Sequence, residues 1–168
     1  MKNFTRRNFT LGAAFATVGA TIAYEVAMAK NPDTSTIPDY DKWQLSKAEW
    51  KERLTPEQFA VLRKEATERA GTSPLDKVYD DGVYACAGCG YDLFMSDTKF
   101  DSRTGWPSFF DPIENAIGTK TDYKIGLPRT EYHCARCGGH QGHVFKDGPA
   151  PTGLRYCNNG VALTFKPA

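Results

Sequence analysis

The chain has 168 residues, 40% of them hydrophobic and 12% aromatic, with 21 basic against 20 acidic side chains. That is enough for one domain with a real core, and the formal net charge of +1 leaves no basic excess for a nucleic-acid partner. The informative count is five cysteines. Four fall in two C-x-x-C pairs, Cys86/Cys89 and Cys134/Cys137, which leaves Cys157 as an odd thiol.

Residues 1–29 read as an address rather than as structure. Arg6 and Arg7 are adjacent, residues 11–23 carry no charge, and Ala27-Met28-Ala29 offers a small-x-small cleavage site. This is the layout of a twin-arginine signal peptide. The uncharged run falls short of the roughly 20 apolar residues a spanning helix needs. A cleaved signal is therefore expected rather than a retained anchor, giving a periplasmic or otherwise exported chain with no stable membrane span once mature. Residues 30–45, rich in Pro, Asp, Ser and Thr, read as a flexible lead-in to a domain over 46–168.

Two helix starts follow. Ser46 and Glu49 have the spacing of a capping box, as do Thr55 and Gln58, with Pro56 at the first helical position. Phe59, Leu62 and Ala66 recur at helical spacing toward a core, and Gly71 is the expected stop. Beyond residue 78 short runs of β-formers are broken by Gly, Pro and Asp. The runs 82–85, 91–94, 106–110, 123–126, 130–133, 141–145, 154–157 and 161–165 predict a mainly β body of many short strands.

Each C-x-x-C pair is followed by Gly. In a knuckle turn both sulfurs of a pair can face one centre, and two knuckles supply the four thiolates of a closed structural zinc site. The rival readings are a redox pair and two disulfides. A thioredoxin-like pair should open a helix in a βαβ unit, which this pattern lacks; disulfides gain weight from the expected export.

The remaining polar residues are unusual for a purely structural β domain. Trp106 stands beside Pro107, which suits an edge or a pocket wall better than a central strand. His140 and His143 would alternate to opposite faces unless a bulge at Gly142 lets them converge. Asp147 lies in turn chemistry, yet a carboxylate there could orient a histidine as a proton donor. Along a strand Arg155, Cys157 and Asn159 share one face, which sets a thiol beside a guanidinium that favours its thiolate.

Three segments, 105–109, 136–145 and 152–159, together with both cysteine pairs, closely resemble the B-type methionine sulfoxide reductases. The resemblance runs in order from about Leu54 to Phe165. It implies a β-tent of two small antiparallel sheets with short N-terminal helices and a four-cysteine zinc site. It also implies reduction of methionine-(R)-sulfoxide in oxidised proteins. By the same resemblance Cys157 is the nucleophile, flanked by Arg155 and Asn159, with His143 and Asp147 as the proton-supplying pair. Trp106, with Phe109 and His140, would form the substrate site, and Cys86, Cys89, Cys134 and Cys137 would hold zinc.

One departure stands out. Many members carry a resolving cysteine just before the Gly-Trp-Pro-Ser-Phe segment, whereas this chain has Thr104 there. Regeneration by an external, thioredoxin-like thiol is the resulting expectation. The rival from another class is a zinc-stabilised β module that binds a protein partner without catalysis, which has no need of Cys157, Arg155, His143, Asp147 and Trp106 together.

Overall fold

The computed structural model describes residues 31–168; the signal segment expected at 1–29 lies outside the described residues. Both capping boxes form. Ser46 caps α1 (Lys47–Arg53) and Thr55 caps α2 (Pro56–Lys64), each exchanging bonds with the side chain three residues on. Helix α2 ends earlier than Gly71, at Glu65, which takes the left-handed cap conformation with φ 54°. The stretch 31–45 carries two short 3-10 turns. Its end is tied to the body: Trp43 stacks on Trp50, and Gln44 donates to the Arg136 carbonyl at 2.9 Å.

Among the described residues nine strands form two antiparallel sheets. The smaller has the order β2-β1-β9, from β1 (Gly82–Cys86), β2 (Asp92–Met95) and β9 (Leu163–Pro167). The larger has the order β3-β4-β8-β7-β6-β5. Its strands are β3 (Lys99–Phe100), β4 (Ser108–Phe109), β5 (Ile117–Asp122), β6 (Arg129–Cys134), β7 (His140–Phe145) and β8 (Arg155–Asn158). Aromatic rings fill the space between them. Phe94 stacks on Phe109 at 4.2 Å, and Tyr132 meets Tyr156 edge-on at 5.5 Å.

Two strand expectations need correction. The run 123–126 is a turn, closed by the Gly126 amide on the Tyr123 carbonyl and by the Asp122 carboxylate on the Lys124 amide. The edge strand β5 precedes it, in a polar segment without β-alternation. The run 106–110 is cut to two residues because Pro107 cannot donate to a ladder. Among the described residues no helix is long and apolar enough to cross a membrane.

The bulge expected at Gly142 falls one residue earlier. Tyr132 faces Gly142 and His133 faces His140, so Gln141 is the extra residue of β7. Gly142 has a different duty: it lets β7 close on β8. A Cβ there would lie 1.8 Å from the carbonyl oxygen of Cys157. Gly142→Ala is therefore expected to destabilise the fold by about 3 kcal/mol, read as a lowered denaturant midpoint; an unchanged midpoint would contradict this packing.

Candidate active site

Cys157 sits in the middle of β8, between two neighbours in register: Ser108 on β4 and His143 on β7. Thiol and imidazole are thus directly opposite each other across an antiparallel pair. The half-buried thiol opens on a cleft of about 150 Å³, also lined by Thr67, Trp106, Arg129, His143, Phe145 and Asn159. A larger hollow of about 880 Å³ between α2, the 66–75 segment and β9 carries neither thiol nor imidazole.

Burial pushes the Cys157 thiol above its ordinary pKa, and the Arg155 guanidinium and Thr104 hydroxyl offset this only in part. The expectation that a neighbouring cation governs this thiol is corrected accordingly: desolvation outweighs the charge. Thr104 belongs to a hydroxyl chain, with Ser102 Oγ 2.8 Å from Thr104 Oγ1 and 2.7 Å from Ser108 Oγ.

His143 is held by Asp122, not by Asp147. Its Nε2 donates to Asp122 Oδ2 at 2.8 Å, and Arg129 donates to the same oxygen at 2.6 Å. The Lys124 amide, the His143 bond and Arg129 together keep the Asp122 carboxyl well below the usual carboxylate range. His143 itself is pulled below its ordinary value, chiefly by burial and further by Arg129 and His140, while Asp122 works the other way.

Asp147 instead forms a two-pronged pair with Arg155, both bonds 2.9 Å. The register explains the exchange. Phe145 faces Arg155 as the last pair of β7 and β8, so the chain two residues on passes the guanidinium rather than the imidazole. Arg155 also lies over the Phe145 ring at 4.3 Å. With the Asp147 side chain 62% exposed, this pair orients Arg155 more than it stabilises the fold.

The three expected substrate residues separate. Trp106 lines the cleft, its indole N–H donating to the Glu68 carbonyl at 3.2 Å. Phe109 does not reach the cleft: it is fully buried against Phe94 and Tyr84, because alternation sends it to the face opposite Ser108. His140 is also buried, its Nδ1 donating to Glu131 Oε1 at 2.7 Å and its ring 5.5 Å from that of His143. Glu131 is 1% exposed. Burial raises its pKa, but bonds from His133 and His140 outweigh that and bring it down to about 2. Asn159 lines the cleft, yet its amide is spent on the Gln141 carbonyl and the Glu68 amide. Asp122, Arg129 and Glu131 are the residues that sequence reasoning missed. The alternation of Arg129 and Glu131 on a strand was the one available signal.

Away from the cleft, Cys86, Cys89, Cys134 and Cys137 come together, all four sulfurs within 4.8 Å of one another. The Cys86–Cys137 and Cys89–Cys134 separations are 3.7 and 3.6 Å. A zinc–sulfur bond of about 2.3 Å gives a tetrahedron with edges of about 3.8 Å, so the set fits a zinc site without rearrangement. These spacings are too long for disulfides.

Residues 54–167 match the SelR domain. The chain belongs to the B-type methionine sulfoxide reductases. Among relatives, the peptide methionine sulfoxide reductase MsrB of Agrobacterium fabrum is 53% identical over 133 residues, 79% of this chain and 96% of that protein. The MsrB of Leptospira interrogans is 52% identical over 122 residues, covering 72% and 93%. The MsrB of Methanosarcina barkeri is 55% identical over 124 residues, covering 73% and 87%. As a B-type reductase, this chain concentrates its match on the domain that carries both the cleft and the sulfur cluster.

Asp122→Asn removes the charge that favours the protonated ring and leaves the opposing Arg129 charge in place. The His143 titration, followed by NMR of the ring, is expected to move to still lower pH. An upward or absent shift would mean that Asp122 is not its electrostatic partner.

Proposed function

We propose that this chain is a peptide-methionine (R)-S-oxide reductase that works through Cys157 alone, carries one structural zinc and is exported. The observation that supports this most is the register pair His143–Cys157 at a cleft walled by Trp106. An imidazole opposite the one thiol outside the sulfur cluster supports the reading of His143 as a proton carrier.

At neutral pH the buried thiol is protonated and the buried imidazole is neutral. With Nε2 committed to Asp122, Nδ1 is the nitrogen left to take the thiol proton. The Cys157 sulfur attacks the sulfoxide sulfur, the sulfoxide oxygen takes the proton, and the S–O bond breaks as the hydroxyl passes to Cys157. Methionine leaves reduced by two electrons and Cys157 remains as a sulfenic acid. Asp122 stabilises the imidazolium that forms in between. Trp106 would receive the sulfoxide's methyl group. An external thiol then displaces water from the sulfenic acid, and a second thiol equivalent cleaves the mixed disulfide and restores Cys157. A thioredoxin-like protein is the expected source, since Thr104 cannot resolve the sulfenic acid.

Zinc would be held by Cys86, Cys89, Cys134 and Cys137, and would supply a cross-link between the turn after β1 and the turn after β6, with no part in the redox step. Export rests on the Arg6-Arg7 segment and the cleavage pattern that follows it.

Four measurements test the reading. Cys157→Ser is expected to abolish turnover with metal content unchanged. With a mixed-epimer substrate only the R form should disappear; turnover by Cys157→Ser, or loss of the S form, would overturn the assignment. Mass spectrometry after one turnover should find one added oxygen on Cys157 and no internal disulfide. Thr104→Cys should instead give a disulfide between the introduced thiol and Cys157. For pH, the reactive state pairs neutral His143 with protonated Cys157. The ordinary values are 6.5 and 9.0, the first lowered and the second raised. The kcat/KM profile is therefore expected to stay flat between those pH values and fall on either side.

A further inference from the structure

The sulfur cluster and the nucleophile strand are joined by a buried hydrogen-bonded path that the chemistry above does not use. Gln141, the bulged residue of β7, donates from Nε2 to Cys86 Sγ at 3.3 Å. Its carbonyl end accepts from Asn158 Nδ2 at 3.3 Å. Asn158 in turn accepts from the Tyr132 hydroxyl at 2.6 Å, and its backbone amide donates to the Pro107 carbonyl at 2.9 Å. The backbone carbonyl of Gln141 accepts from both the backbone and the side-chain amide of Asn159, at 2.8 and 2.9 Å. Cys86, Tyr132, Gln141 and Asn158 are all 0% exposed, so no solvent competes for these bonds.

The path has a fixed direction. A metal-bound thiolate can only accept hydrogen bonds, so the N–H end of Gln141 must face Cys86. That leaves the carbonyl end for Asn158, the residue next to Cys157. Asn159, on the other side of the same bulge, accepts from the Glu68 amide, and Glu68 accepts from the Trp106 indole. Sulfur cluster, nucleophile flank and cleft wall thus share one residue as their junction, the first two through the side-chain amide of Gln141 and the third through its backbone carbonyl. The bulge makes this possible: an unpaired residue in a strand frees its side chain from the ladder's alternation.

We propose that Gln141 is a positioning residue that couples metal occupancy at the four cysteines to the placement of Asn158 and Asn159 around Cys157. The inference rests on the zinc reading above. Partners of metal ligands commonly change metal affinity or activity by about 10-fold to 100-fold. Coupling of this kind is reciprocal between the two sites.

The test uses the purified chain loaded with zinc and then with NMR-active cadmium. In the unaltered protein, metal exchange is expected to shift the side-chain amide resonances of Gln141 and also those of Asn158, which touches no ligand. In Gln141→Leu, which keeps the volume and loses both bonds, the Asn158 resonances should no longer respond to the metal. Zinc release to a chelator should be about 10-fold faster, and kcat about 10-fold lower with KM held. If this variant does not fold, Gln141→Glu serves: it keeps the shape and sets a carboxylate oxygen against sulfur, with the same expected direction. Asn158 resonances indifferent to the metal in the unaltered protein would overturn the coupling, as would a variant matching it in release rate and kcat. Absence of bound metal from the unaltered protein would overturn both this inference and the zinc reading. Bound metal with an inert variant would overturn the coupling alone.

Discussion

The close approach of β7 and β8 at Gly142 is the constraint on which the site depends. With no side chain at Gly142, the two backbones pack tightly enough to hold His143 opposite Cys157. A one-residue slip would send every side chain of β7 to the other face. The register thus decides at once which imidazole meets the thiol, which aromatic meets the guanidinium and which amide reaches the sulfur cluster.

Around that pairing the charges are divided by depth. On the imidazole side Asp122 is 8% and Glu131 1% exposed. Buried carboxylates are costly unless fully bonded. Here Arg129, His143 and the Lys124 amide satisfy one, while His133 and His140 satisfy the other. On the thiol side the Asp147–Arg155 pair reaches solvent. The inner carboxylates therefore act on ring orientation and proton affinity in a setting that water screens less. The outer one steers a guanidinium whose own charge meets the sulfur.

What can be read along the chain is whatever depends on neighbours a few residues apart. Both capping boxes, the two cysteine knuckles, the convergence of His140 with His143, and Cys157 in a charged strand all follow from local spacing. Partnerships made across the sheet are harder to see. Asp122 ends a polar strand with no β-alternation and acts through a turn, so nothing nearby marks it as the partner of His143. Asp147 is four residues from His143 and invites the pairing, yet strand direction carries it past Arg155. Phe109 leaves the substrate site because its face is set by Ser108 lying opposite Cys157, a register that emerges only once the strands are ordered.

The protonated state of the resting thiol has a consequence beyond turnover. Peroxides attack thiolates far faster than thiols, and a repair enzyme for oxidised methionine works where such oxidants are present. On the proposed mechanism, a half-buried Cys157 held above its ordinary pKa withholds the vulnerable anion until a sulfoxide arrives to receive the proton. On that mechanism the idle enzyme would be shielded from irreversible over-oxidation to the sulfinic acid.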